Sequence, residues 1–425
     1  MHPSFFLKSR ISFAALVMIS GLGLISNAFA AEPDKGAAKP DKGEVALSRL
    51  VVIGDSLSAG FQNFSLFTGS NGGQTFGFAS LIAQQAGVNL TLPTISSPGI
   101  PPELMLNSGQ IVRAAGLGSR TNPSMQATNL SVPGFTVGDV LAHPYPGNPS
   151  ATNVIDLLSD TVLGTPQGHL PCGPIPTSLL SAVPLPASIS SLIPSGSPAF
   201  VSEAACAARL VPTTVIVSIG SNDVLQALTL GNAPTDPAVF ATNYGYLLDV
   251  LSITGANIIV SNVPDVTALP FVVNASTFLQ QCGTSIPAPY SYVVPNLGAP
   301  AFNVCEYNVP LTAAQISGLQ ALVVAYNQAI TAQVAAFRAH GGSATIVDIN
   351  GLLKNLSANG ITIDSKHLTT AFLGGLFSLD GIHPTNTGYA ILANAYIDAI
   401  NSALGTNIKD VVLPPVANHD PLIFP

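Results

Sequence analysis

The chain has 425 residues, of which 13 are Lys or Arg and 21 Asp or Glu, so charged side chains make up 8% and the net charge is −8; ordinary soluble proteins carry roughly 25%. At 47% hydrophobic residues it is too apolar and too poor in charge to be intrinsically disordered, and its acidic balance offers phosphates nothing to neutralise, which excludes a nucleic-acid partner. Mean hydropathy is +0.47, yet past residue 30 Gly, Pro, Ser, Asn or Asp interrupts every apolar run before the roughly 18 residues a membrane-spanning helix needs.

Residues 1–30 carry Lys8 and Arg10, the apolar stretch ISFAALVMISGLGLIS and then Ala28-Phe29-Ala30. A basic start, a short apolar core and small residues at −3 and −1 describe a secretory signal peptide cut after Ala30, and hence an exported protein, periplasmic or secreted. Residues 31–47 read as a flexible charged leader, with PDKG repeated and seven charged side chains in residues 31–44. The folded domain is expected over 48–405, followed by a C-terminal tail over 406–425.

In chain order, residues 50–53 (LVVI) form a continuous apolar strand of the buried, parallel type. A helix is predicted over 75–86, a strand over 214–218, a helix over 236–251 and a strand over 257–260. A long amphipathic helix over 312–340, a strand over 344–347 and a helix over 386–404 follow. Strands alternating with helices indicate an α/β fold with a parallel sheet covered on both faces, in which active sites lie at the carboxyl ends of the strands. Two Pro-rich, charge-poor stretches, 140–212 and 266–311, break the rhythm and read as insertions.

Four cysteines, Cys172, Cys206, Cys282 and Cys305, suit two disulfides in an exported chain. Of the three pairings, Cys172 with Cys206 and Cys282 with Cys305 are favoured because each pair brackets its own Pro-rich segment. Each closure is worth about 3–4 kcal/mol in the chain-entropy model. No CxxC or Cys/His cluster suggests a metal site, and no cofactor is expected.

Gly54-Asp55-Ser56-Leu57 follows the first strand, where a serine at a tight strand-to-helix turn exposes its Oγ and points its own N–H at an incoming oxyanion. A hydroxyl is a poor nucleophile at neutral pH and needs an imidazole oriented by a carboxylate. Asp380-Gly381-Ile382-His383-Pro384 supplies both; His2, His143, His169, His340, His367 and His419 lack this setting. Between these blocks, Gly220-Ser221-Asn222-Asp223 ends a strand and Asn129-Leu130-Ser131-Val132-Pro133-Gly134-Phe135-Thr136 precedes a helix start. An Asn amide and a Gly N–H are suitable donors to the charge that develops on a carbonyl oxygen during ester hydrolysis. Taken singly, each block also has a plainer reading, as an N-cap, a turn residue or a backbone glycine.

GDSL, a glycine in the second block, GxND and DxxHP, in this order, resemble the four blocks of the SGNH (GDSL) serine hydrolase family. NVPDVTALP, Tyr326-Asn327 and IVDINGLL resemble its longer GDSL lipase/esterase branch. The resemblance spans residues 48–404. It implies a three-layer α/β/α sandwich of flavodoxin-like type carrying the two insertions. It also implies Ser56 as nucleophile, His383 as general base and then acid, Asp380 as its orienter, and an oxyanion hole of the Ser56 and Gly134 N–H groups with the Asn222 side chain. Asp55 and Asp223 would hold the loops. The large segment between the second and third blocks departs from the pattern and leaves the pocket shape open.

The leading reading is an exported esterase or lipase acting on lipid-like or short acyl esters, with transient membrane-surface contact and the apolar stretch 178–194 lining a groove or lid. A polysaccharide deacetylase is the second enzyme reading, mildly disfavoured by 0 Trp and only 9 Tyr to stack on sugars. A noncatalytic surface-binding protein that kept the fold is the third, against which all four blocks are intact.

Overall fold

The computed structural model describes residues 45–423 apart from 70–71, 146–152, 165–171, 179–186, 192, 194–195, 198, 297–302 and 304. The signal peptide read over 1–30, the leader as far as residue 44, and most of 178–194 lie outside the described residues.

Strands β1 (Leu50–Gly54), β2 (Thr214–Ser218), β3 (Asn257–Ser261) and β4 (Ala344–Val347) form the central sheet in that order, all parallel. On the free edge of β1, residues 128–132 run parallel to it: Val52 N–H donates to Thr128 O and Leu130 N–H to Val52 O, both at 2.8 Å. This segment falls between β1 and β2 in the chain, so the spatial order is 2-1-3-4-5, the flavodoxin-like arrangement. The chain order reverses between β1 and β2, and a crevice opens there at the carboxyl ends of the strands.

The helices that flank the sheet and its site include, in chain order, α1 (Ser56–Ala59), α2 (Phe78–Ala86), α3 (Val137–Leu141), α4 (Glu203–Arg209), α5 (Asn222–Thr229), α6 (Pro237–Ser252), α7 (Ala313–Ala339), α8 (Ile349–Asn359), α9 (Asn386–Leu404) and α10 (Leu413–His419). Alternate strand residues point to opposite faces, and both faces are apolar. Leu50, Val52, Ile216 and Ile259 pack under α2 and α9, where Phe78 stacks on Tyr396 at 4.4 Å. Val51, Ile53, Val215, Val217, Ile258 and Val260 face α4, α6 and α7, where Phe240 stacks on Tyr326 at 4.2 Å. The result is the three-layer sandwich. Local chemistry sets the helix starts: Asp236 caps α6 ahead of Pro237, and Thr312 and Gln315 form a capping box on α7.

The structure differs from the sequence reading in three places. The helix read over 75–86 divides at Gly77, whose ψ of 142° is extended, into a turn at Gly73–Phe76 and α2. The first insertion is more than a surface excursion. It holds an antiparallel sheet of His143–Tyr145, Ala199–Val201 and Ile175–Pro176, and ends in α4, which belongs to the core. Residues 406–423 pack onto α9: Asn401 and Asn394 exchange hydrogen bonds with the Ile408 and Val411 backbones, and Asp420 accepts from Thr387 N–H at 2.8 Å.

Cys172 is bonded to Cys206 and Cys282 to Cys305, with Cα–Cα separations of 4.9 and 5.6 Å. The first bridge ties the first insertion to α4. The second closes the insertion built on Val273–Asn274, Tyr292–Pro295 and Tyr307–Leu311. Such bridges persist in oxidising compartments. Among the described residues no helix is long and apolar enough to cross a membrane.

Candidate active site

Gly54 ends β1 at φ +144°, and a Cβ there would lie 1.9 Å from the Ser218 carbonyl oxygen of β2. Only glycine permits that approach. The chain then turns sharply: Asp55 caps α1 by accepting from Leu57 N–H at 3.0 Å, and Ser56 is the first helical residue. Its N–H sits in the first turn, where no intrahelical acceptor exists.

His383 reaches Ser56 from the far end of the chain. Its Nε2 is 2.8 Å from Ser56 Oγ, and its Nδ1 is 2.9 Å from Asp380 Oδ2. Asp380 is fully buried. Its Oδ1 accepts from the Ile382 and His383 N–H groups at 2.8 Å, and its Oδ2 also accepts from Phe64 N–H at 2.6 Å. Burial alone would raise its carboxyl pKa; the His383 imidazole and these N–H donors outweigh burial and hold it below the usual value. An ionised Asp380 keeps the ring proton on Nδ1 and leaves the Nε2 lone pair facing the serine hydroxyl. The Phe61 ring packs against the imidazole at 4.9 Å between centroids, tilted by 57°.

Gly134 lies on the loop before α3, and Asn222 opens α5 beside it. Asn222 Nδ2 donates to the carbonyl of Phe135, next to Gly134, at 3.0 Å. Gly134 has φ +92°, and a Cβ there would meet the Ile155 side chain at 3.0 Å. Asp223 ties the third block to the second: its Oδ2 accepts from Val137 N–H, the start of α3, at 2.9 Å. Beside Ser56 and His383 opens a small cleft of about 110 Å³ with walls that are almost wholly apolar. Leu225, Val266, Leu269, Leu353, Leu356 and Leu392 contribute, and among the described residues no Lys, Arg or Glu lines it. The stretch 178–194 is not among its described walls; α8, α9 and the start of the second insertion supply them instead.

Two side chains escaped the sequence reading. Glu203 is fully buried and accepts from Gly54 N–H at 2.6 Å and Val132 N–H at 3.0 Å, so one carboxyl clamps the end of β1 to the second block. Burial pushes its pKa well up, against the pull of those two donors. The available signal was a lone acid opening the Ala-rich run EAACAA in a chain with few charges. His143 does have carboxylate partners, Asp139 at 2.9 Å and Asp156 at 3.1 Å. Both its nitrogens are thereby engaged, whereas His383 offers its second nitrogen to a hydroxyl.

Asp55 and Asp223 have carboxyls pushed up to about 7 by burial, from 3.8. A raised carboxyl binds its proton more tightly in the folded state. Its contribution to stability is therefore fully present below 3.8 and is lost as pH rises through about 7. Asp380, held low, acts in the opposite sense and loses its contribution only as pH falls through its depressed value. The melting temperature is expected to fall between about pH 4 and 7, and Asp223→Asn, which keeps an oxygen for Val137 N–H, should flatten that fall. An unaltered slope in the variant's melting profile would remove Asp223 from this linkage.

A serine, a histidine and an aspartate thus stand in hydrogen-bonded series at the carboxyl end of a parallel sheet in a three-layer α/β/α fold. The chain belongs to the GDSL-like lipase/acylhydrolase family, whose model matches residues 50–396. It is a hydrolase of the ester-cleaving type that this family comprises. No curated protein matches the chain significantly. Among solved structures it is similar to LAE5, an alpha/beta hydrolase enzyme from the metagenome of Lake Arreo, Spain, at 13% identity and a TM-score of 0.36, over 84% of this chain and 95% of that one.

Proposed function

We propose that the protein is an exported carboxylic-ester hydrolase working through an acyl-enzyme on Ser56. The observation that carries this reading is the relay Ser56–His383–Asp380, at 2.8 and 2.9 Å, opening onto an apolar cleft. Ser56 Oγ attacks the ester carbonyl while His383 Nε2 takes its proton. The oxyanion of the tetrahedral intermediate is met by the Ser56 and Gly134 N–H groups and the Asn222 amide, which turns from the Phe135 carbonyl to do so. Collapse expels the alcohol, protonated by His383, and leaves the acyl group on Ser56. Water, deprotonated by His383, then attacks the acyl-enzyme; the acid departs and Ser56 recovers its proton. The mechanism requires no cofactor.

The apolar walls favour lipid-like or short acyl esters, with the acyl chain laid against Leu353 and Leu356 on α8. Two disulfides and the signal-peptide pattern support export to the periplasm or beyond. A substrate drawn from a lipid phase would bring the cleft into transient contact with a membrane surface.

A chain-length series of p-nitrophenyl esters from acetate to palmitate, run beside an acetylated polysaccharide, tests the substrate class. Each methylene buried in the cleft contributes about 0.8 kcal/mol, or roughly fourfold, so kcat/KM should climb by that factor per carbon over the first several carbons. A maximum at acetate together with turnover of the polysaccharide would transfer the protein to the deacetylases.

A further inference from the structure

Ser56 and Asp380 are brought into register by the loop that follows α1, and that loop has an unusual backbone. Asn63 and Phe64 both lie in the left-handed region, at φ 52° and 57°, which a non-glycine residue seldom adopts once, let alone twice in succession. The loop is closed on itself by reciprocal hydrogen bonds between the Gln62 and Ser65 backbones at 2.9 and 3.0 Å, and Gln62, Asn63 and Ser65 are buried.

Asn63 O accepts from Leu104 N–H at 2.8 Å and Ser65 Oγ donates to the Pro98 carbonyl at 3.4 Å; the side chains of Gln62 and Asn63 and the N–H groups of Asn63 and Phe64 bond to the segment carrying Asp380 and His383. Asn63 N–H donates to Ser378 Oγ at 3.0 Å, and Asn63 Oδ1 accepts from Leu379 N–H at 3.1 Å. On the far side of the histidine, Gln62 Nε2 donates to the Pro384 carbonyl at 3.3 Å and to Asn386 Oδ1 at 3.1 Å. The left-handed pair aims Phe64 N–H at Asp380 Oδ2, the oxygen that holds the imidazole Nδ1. A carboxylate has about four acceptor positions, and here four donors fill them. Three come from the aspartate's own turn: Ile382 N–H, His383 N–H and His383 Nδ1. Phe64 N–H is the one that comes from the nucleophile's segment. The Phe64 ring is itself pinned, with the Arg113 guanidinium 5.1 Å above it and the Phe61 ring against its edge at 6.1 Å.

We propose that Asn63 and Phe64 are positioning residues for the reaction, a left-handed clamp that fixes the Asp380 carboxylate and, through it, the angle at which His383 faces Ser56. Neither side chain touches the reacting atoms. The assignment rests on the esterase reading only for its kinetic consequence; the clamp's hold on the Asp380–His383 bond can be read without a substrate.

The test compares Asn63→Ala and Asn63→Gly in the full-length protein. Alanine removes the acceptor for Leu379 N–H and disfavours the left-handed backbone; glycine removes the same acceptor but accepts the backbone freely. Two quantities are read: the far-downfield proton resonance of an imidazole Nδ1–H held by a carboxylate, and the separate kcat and KM for p-nitrophenyl butyrate. For Asn63→Ala the resonance should move or vanish, and kcat should drop about 10- to 100-fold with KM within about twofold, as a displaced catalytic group demands. Asn63→Gly should recover about tenfold of the lost kcat. A wild-type resonance and a kcat within about twofold in Asn63→Ala would overturn the proposal, as would a loss that glycine does not relieve at all. Should Asn63→Ala fail to fold, Ser378→Ala removes only the acceptor for Asn63 N–H; a moved resonance supports the clamp and an unmoved one rejects it. If the wild-type protein shows the resonance but hydrolyses no ester, the esterase reading fails, and the resonance in the variants still decides the positioning role.

Discussion

Ser56→Ala is expected to abolish hydrolysis of p-nitrophenyl acyl esters, with a loss of about 10⁴- to 10⁶-fold in kcat and only the residual rate that binding and the oxyanion donors supply. The fold should be unaffected. The hydroxyl that is lost pairs with His383 Nε2 at 2.8 Å, while the turn depends on Gly54 and the Asp55 cap, which remain. An unchanged circular dichroism spectrum and melting temperature, alongside abolished turnover, is the required pattern. Wild-type rates in the variant would mean that another group attacks the ester.

Asp380→Asn should cost about 10⁴-fold in kcat, for a reason visible in its surroundings. All four acceptor positions of the carboxylate face donors. An asparagine must turn its NH₂ toward two of them, which sets donor against donor. The imidazole can escape by moving its own proton to Nε2, and then has no lone pair for the Ser56 hydroxyl. KM should change little, because Asp380 is fully buried and the apolar cleft is untouched. Stopped-flow measurement of the acylation step separates this outcome from a binding defect; an acylation rate within about tenfold of wild type would contradict the role given to Asp380.

The core strands could be read from sequence because a parallel strand buried on both faces is a short, unbroken apolar run. LVVIG and TVIVS have no other plausible fate, and their alternate residues serve both layers. The edge segment 128–132 could not be recognised the same way. TNLSV is short and half polar, and it behaves as a strand only because β1 offers it an unpaired edge. The break at Gly77 is similarly tertiary: a Cβ there would fall 2.9 Å from Gly60 Cα, so α2 begins where the nucleophile's loop leaves room.

In the site, Ser56, Asp380 and His383 stood out because each lies in a short block with a local chemical logic. Glu203, Asn63 and Phe64 act through contacts 71 and 316 residues away in the chain, which no local pattern records. The particular apolar walls beside the serine were not legible in the sequence. Hydrophobic residues in a charge-poor chain are too common to mark a groove, and α8 became a wall only when β4 delivered it to the crevice.

The central claim is that Ser56 carries the acyl group. The most direct test is to treat the full-length protein with an alkyl fluorophosphonate, which forms a stable adduct with a histidine-activated serine, and to locate the added mass by peptide mapping. One adduct per chain on the peptide containing Ser56, formed in step with loss of esterase activity and absent from Ser56→Ala, is the expected result. Loss of activity with the adduct on another residue, or full labelling of Ser56→Ala, would contradict it.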